Sequence, residues 1–167
     1  MKLDLRDIIE IPGASVPFRC ELDTERLDYP SVIEYITPPT AEGRVTNTAG
    51  VLTLTGVLTA DMLCVCDRCG AQFRSEKNME LEVPISAGSD DGEDPEMFFL
   101  DGDWLDLDDV LETSFILDME TKFLCKSDCA GLCDRCGANL NLGPCGCKKK
   151  IDPRMAVLEQ LLDNKDE

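Results

Sequence analysis

Ten cysteines and no histidine in 167 residues constrain this chain more than any other feature. The hexapeptide Cys66-Asp67-Arg68-Cys69-Gly70-Ala71 recurs unchanged as Cys133-Asp134-Arg135-Cys136-Gly137-Ala138, so one local geometry is expected twice. In a Cys-x-x-Cys turn two sulfurs reach the same ion, and the glycine that follows tolerates the positive φ that lets backbone N–H groups approach the thiolates. Arg68 and Arg135 are expected to favour the deprotonated sulfurs beside them. Each turn supplies half a tetrahedron, and Cys125-x3-Cys129 and Cys145-x-Cys147 supply the other halves. The shortest closure joins Cys133 and Cys136 to Cys145 and Cys147 as a compact knuckle. Cys66 and Cys69 are then left to take Cys125 and Cys129 across a long loop. Cys64 shares a strand face with Cys66 and is an alternative ligand. A buried free thiol is the simpler role both for it and for Cys20.

All-thiolate sets suit zinc, and also iron–sulfur clusters; two zinc ions are the expectation here. Four thiolates leave zinc no open coordination position, so the sites are read as structural, with no catalytic residue assigned. The absence of histidine removes His-based zinc catalysis and His-containing triads. A disulfide-stapled secreted domain is the competing reading of so many cysteines. Met1-Lys2-Leu3-Asp4-Leu5-Arg6-Asp7 alternates charged and apolar residues and lacks the apolar core of a secretory signal. No run approaches the roughly 20 apolar residues of a membrane span. A cytoplasmic protein with reduced thiols is therefore expected.

The pattern around the cysteines predicts an α+β fold: an antiparallel sheet or partly open barrel, a connecting helix, a C-terminal zinc knuckle and a C-terminal helix. Residues 51–58 alternate Leu with Thr after the turn signal Asn47-Thr48-Ala49-Gly50, predicting a hairpin in which 43–48 pair with 51–60. Residues 18–22, and 71–85 with Met79, Leu81, Val83 and Ile85 on alternate positions, supply further strands. Residues 88–96 contain no apolar side chain and read as an exposed acidic loop. Asp106 can cap a helix over 107–118, with Asp108 and Asp109 at its positive end. That role accounts for these acids without a magnesium-dependent nuclease. Asp152 as N-cap and Pro153 at the first helical position begin a second helix, carrying Met155, Leu158, Leu161 and Leu162 to about residue 163. Two units are expected, a strand-rich 1–123 and a cysteine-rich 124–167.

Charge separates these units. Of a net −18, residues 1–120 carry 8 Lys/Arg against 27 Asp/Glu, whereas residues 121–154 carry 7 against 3. A polyanion is repelled by most of such a surface at long range. Eight thiolates with two divalent cations make the whole more negative by four. Any contact with RNA or a ribosome is therefore expected on the basic segment, at Arg135, Lys148, Lys149, Lys150 and Arg154.

The stretch from Leu124 to Asn141, followed by Cys145-Gly146-Cys147 and Ile151-Asp152-Pro153-Arg154, resembles the long form of the YceD family of large ribosomal RNA subunit accumulation proteins. Cys66-Asp67-Arg68-Cys69 matches that family's other signature. The resemblance implies a bacterial or plastid protein needed for normal levels or processing of large-subunit ribosomal RNA, and no known catalytic activity. It also implies that the later quartet is an accessory, because shorter members keep the first Cys-x-x-Cys and lose it. The expected function is a non-enzymatic ribosome-assembly factor, with a large-subunit precursor or a basic ribosomal protein as partner. The alternatives are a metal-dependent RNA-processing nuclease and a zinc-stabilised adaptor unrelated to ribosomes.

Overall fold

In the computed structural model, residues 1–87 and 97–147 are described. The acidic loop at 88–96, Lys148, Lys149, Lys150, Arg154 and the helix expected after Asp152 lie outside the described residues.

Three long strands carry the architecture: β2 (Ser15–Glu21) edges β3 (Val32–Thr48), which pairs with β4 (Val51–Val65), which pairs with β5 (Gln72–Ser86). A short β6 (Phe98–Phe99) completes a five-stranded sheet in the order β2-β3-β4-β5-β6. The sheet is open and does not close into a barrel. Its pairings are antiparallel except the last, where Ile85 and Ser86 meet Phe98 and Phe99 in parallel. Expecting antiparallel pairing alone missed this, because a two-residue strand beyond a loop leaves no periodic signal. A second sheet of two strands joins β1 (Lys2–Asp4) to β7 (Trp104–Asp106).

The β3–β4 hairpin turns through Ala49 and Gly50, both at positive φ (54° and 93°), the pattern of a turn whose twist matches that of its strands. Asn47, 1% exposed, fixes the start of that turn. Its Nδ2 donates to the carbonyls of Ile8 and Ile9 at 2.7 Å and its Oδ1 accepts from Gly50 N–H at 2.8 Å, so burial leaves no part of the amide unsatisfied. The same bonds hold the short helix α1 (Arg6–Ile9) on the hairpin. Further along, Gly43 and Gly56 face each other in the ladder. A Cβ on Gly56 would lie 2.4 Å from the Glu42 carbonyl oxygen, so the two strands approach as only glycine allows. Towards its beginning β3 is irregular, with register shifts between Val32 and Thr40. Pro38 and Pro39 lie in this stretch and cannot donate to a ladder.

Alternation decides what is buried. Leu52, Leu54, Leu58, Ala60, Met62 and Cys64 of β4 and Met79, Leu81, Val83 and Ile85 of β5 all turn inward, while their neighbours face outward or lie partly covered. Helix α2 (Leu107–Leu117) closes this face with Leu107, Val110, Leu111 and Phe115. Each large side chain so buried contributes about 2 kcal/mol by removal from water. Asp106 caps α2, its carboxylate accepting from Asp108 N–H at 3.2 Å. Buried Lys77 of β5 ties the other end, donating to the Asp118 carbonyl at 2.6 Å and pairing with its carboxylate at 2.8 Å. Arg26, in the 3-10 turn Thr24–Arg26, pairs with buried Glu112 of α2 at 3.1 Å. These contacts fix where the chain leaves α2, and hence where Phe123, Cys125 and Cys129 begin. Among the described residues no helix is long and apolar enough to cross a membrane.

The glycine pair provides a check on the sheet. Gly56→Ala should lower stability by about 2 kcal/mol, since the added methyl has no space between backbones and a strand must move. Urea denaturation measures the loss. An unchanged midpoint would show that the strands do not approach as described.

Candidate metal centres

The inward alternation of β4 runs on past the strand's end from Met62 and Cys64 to Cys66, so strand register places the first sulfur. There the chain turns. Cys66 N–H donates to the Ala71 carbonyl at 2.9 Å and Gly70 N–H to the Cys66 carbonyl at 2.8 Å, with Gly70 at φ 69°. The second hexapeptide repeats this closely: Cys133 N–H to Ala138 O at 2.8 Å, Gly137 N–H to Cys133 O at 2.9 Å, and Gly137 at φ 72°.

The eight cysteines gather into two quartets, Cys66 with Cys69, Cys125 and Cys129, and Cys133 with Cys136, Cys145 and Cys147. Within each, all four sulfurs lie within 4.8 Å of one another. In the first quartet the Cys66 and Cys129 sulfurs are 3.7 Å apart, as are those of Cys69 and Cys125. A tetrahedron with metal–sulfur bonds of about 2.3 Å has edges of about 3.8 Å. Both quartets could thus hold metal ions. Three sulfurs of the first quartet are buried, whereas Cys136 and Cys147 of the second are exposed. Cys64 belongs to neither quartet; it and half-buried Cys20 are thiols that burial pushes up from their ordinary range. Asp106, Asp108 and Asp109 form no comparable group, because among the described residues only the two quartets bring together three or more potential ligands.

Backbone N–H groups draw one thiol of each quartet towards ionisation. The N–H of Cys125, with those of Arg68 and Cys69, lowers Cys66 to about 6, and those of Cys136 and Arg135 lower Cys133 to about 7. Other sulfurs in each quartet resist a second charge. Burial and the crowding of the other sulfurs push Cys125 up to about 12, and the neighbouring Cys136 sulfur does the same to Cys147. A cation reverses that resistance, so metal uptake at either quartet releases protons.

The arginine of the first motif also spans the gap between the two ligand segments: Arg68 Nη1 donates to the Cys129 carbonyl at 2.9 Å, and its own carbonyl accepts from Leu132 N–H at 3.1 Å. Gly131, at φ 75°, permits this approach, since a Cβ there would lie 3.1 Å from the Arg68 oxygen. Asp67 makes a second clamp. Its carboxylate accepts from Ser31 Oγ at 2.6 Å and from Phe123 N–H at 2.7 Å, which hold it below the usual carboxylate range. Asp67 N–H also donates to the Phe123 carbonyl at 2.9 Å. The repeated Asp134 lies instead beside its own quartet, 3.8 Å from the Cys133 sulfur, and Arg135 is exposed. Sequence analysis missed Asp67, Ser31 and Asn141; Asn141 Nδ2 stands 3.3 Å from the Cys129 sulfur and is the main influence lowering that thiol. Two asparagines two positions apart, Asn139 and Asn141, in a loop between ligand pairs, are the available signal for the last.

A family model described as "Large ribosomal RNA subunit accumulation protein YceD" matches residues 54–162, which takes in both hexapeptides and all eight quartet cysteines. The chain belongs to the YceD family. An uncharacterized protein of Mycobacterium tuberculosis is 31% identical over 117 residues, covering 68% of this chain and 56% of its own length. One from Mycobacterium leprae is 27% identical over 135 residues, covering 78% and 62%. The chain thus spans little more than half the length of these curated relatives. No solved structure matches it.

The first quartet joins segments whose paired cysteines Cys66 and Cys129 lie 63 positions apart, while the second closes within 133–147. Closing the longer loop restricts the unfolded chain more. Metal binding at a structural site carries on the order of 10 kcal/mol, so Cys66→Ser or Cys129→Ser should cost far more stability than Cys136→Ser. Denaturation curves for the three variants compare the sites. Equal losses, or a larger one from Cys136→Ser, would contradict this ranking.

Proposed function

We propose that this YceD protein is a non-enzymatic factor supporting accumulation and processing of large-subunit ribosomal RNA, and that each quartet holds one structural zinc ion. The match of the family model to residues 54–162 carries the functional reading. The sulfur spacing and closed coordination support the metal reading, since four thiolates leave zinc no position for water or substrate. Zinc at each site would offset the thiolate charges and hold the chain segments together. The protein's residues arrange those thiolates, and no reaction step is assigned to them. Among the described residues Asp106 is engaged as a helix cap.

The partner is a large-subunit precursor particle or a basic ribosomal protein, met in the cytoplasm. Charge supports an orientation: the basic segment with Arg135, Lys148, Lys149, Lys150 and Arg154 towards RNA phosphate, and the acidic 1–120 towards solvent or a basic protein.

Two measurements test these readings. Elemental analysis with native mass spectrometry should find two zinc ions per chain and no sulfide; one zinc, or iron with sulfide, would sink the two-zinc reading. Replacing Lys148, Lys149 and Lys150 together by Glu should weaken co-sedimentation with large-subunit precursors while zinc content and thermal stability stay nearly unchanged. Added salt should weaken the wild-type association too, as phosphate contacts release counterions. Undiminished co-sedimentation of the triple variant would move the contact surface to the acidic half.

A further inference from the structure

Asn141 belongs by sequence to the second quartet and by contact to the first. It lies between Cys136 and Cys145, inside the loop that the second quartet closes. Yet its Nδ2 donates towards the Cys129 sulfur of the first quartet at 3.3 Å, and its Oδ1 accepts from Ala130 N–H, next to that ligand, at 2.9 Å. The amide is itself held in place. Asn139 Oδ1 accepts from both Asn141 N–H at 3.0 Å and Asn141 Nδ2 at 2.9 Å. Leu140 N–H donates to the Gly131 carbonyl at 2.9 Å, and Leu132 and Asn139 form an isolated antiparallel bridge. The loop of the second quartet is thereby folded against the segment that delivers Cys129.

We propose that Asn141 is a positioning residue through which metal loading of the second quartet secures metal at the first. A metal bound by Cys133, Cys136, Cys145 and Cys147 fixes both ends of the 136–145 loop and so restricts where Asn141 can be. Held there, the amide donates to the Cys129 sulfur, withdraws electron density from the thiolate and lowers its reactivity towards electrophiles. Groups that orient a ligand in this way commonly change metal affinity by about tenfold or more when removed. The second quartet, locally closed and more exposed, then regulates retention of metal at the buried one.

The inference rests on both quartets being metal-loaded, so the zinc stoichiometry of the wild-type chain is measured first. With two zinc ions present, N-ethylmaleimide labelling is followed cysteine by cysteine by mass spectrometry, and zinc release to a chelator is timed. Asn141→Leu should label Cys129 about tenfold faster than wild type, leave Cys133 little changed, and speed the release of one zinc only. Asn141→Asp keeps an acceptor for Ala130 N–H and removes the donor to sulfur, so it should show the same selective effect should Asn141→Leu fail to fold. Disabling the second quartet by Cys136→Ser should speed labelling of Cys129 by a similar factor, and adding an Asn141 substitution to it should then change little. A uniform rise at all eight cysteines would reduce Asn141 to general folding support and overturn the proposal. Unchanged Cys129 labelling, or an Asn141 effect of undiminished size in the Cys136→Ser background, would overturn it with both zinc ions in place. A wild-type chain holding one zinc sinks both this inference and the two-site reading.

Discussion

Four sulfurs held within 4.8 Å of one another repel once ionised, and the meeting of the sheet end with the chain after α2 depends on offsetting that repulsion. The protein does part of this itself. Backbone N–H groups at Cys125, Arg68 and Cys69 face Cys66, and the Asn141 amide faces Cys129, so two of the four charges are partly met before any cation arrives. The Arg68 bridge to the Cys129 carbonyl and the Asp67 clamp on Phe123 hold the segments together through backbone groups beside the ligands. A cation there would complete an arrangement that the polypeptide has largely built.

The two quartets share a hexapeptide but not a setting. Around Cys66 the turn grows from a fifteen-residue strand and is backed by Phe73, Ala71 and Leu124, whereas around Cys133 it stands at the surface. Identical Asp and Arg residues accordingly do different things, with Asp67 accepting from Ser31 and Phe123, and Asp134 lying by its own cysteine. A motif of six residues specifies a backbone turn and two sulfurs. What surrounds it is decided by the elements that it is attached to.

Much of this was legible because it is local or periodic. Alternation in 51–58 and 79–85 set the buried face, Ala49-Gly50 set the hairpin, Asp106 set the start of α2, and cysteine spacing suggested two quartets, whose grouping in space follows the same pairs. What escaped is long-range and polar. The Ser31–Asp67 and Arg68–Cys129 bonds join positions 36 and 61 residues apart, and a single side chain gives no periodic sign of a distant partner. The parallel pairing of Phe98 and Phe99 escaped for a related reason, since so short a strand is defined by its neighbour. Open sheet and barrel share the same alternation, so closure was not readable from pattern alone.

Because Cys66 continues the two-residue alternation that begins at Leu52, its sulfur reports the register of β4. A slip of one position would turn Cys64 and Cys66 to the outer face and carry Val65 to the inner one. No quartet could then close with Cys125 and Cys129. A metal held at the end of the strand, as proposed above, would therefore act as a proofreading step for the whole sheet: a mispaired hairpin, however well its backbone bonds are made, would be left without the stabilisation that the correct alignment receives.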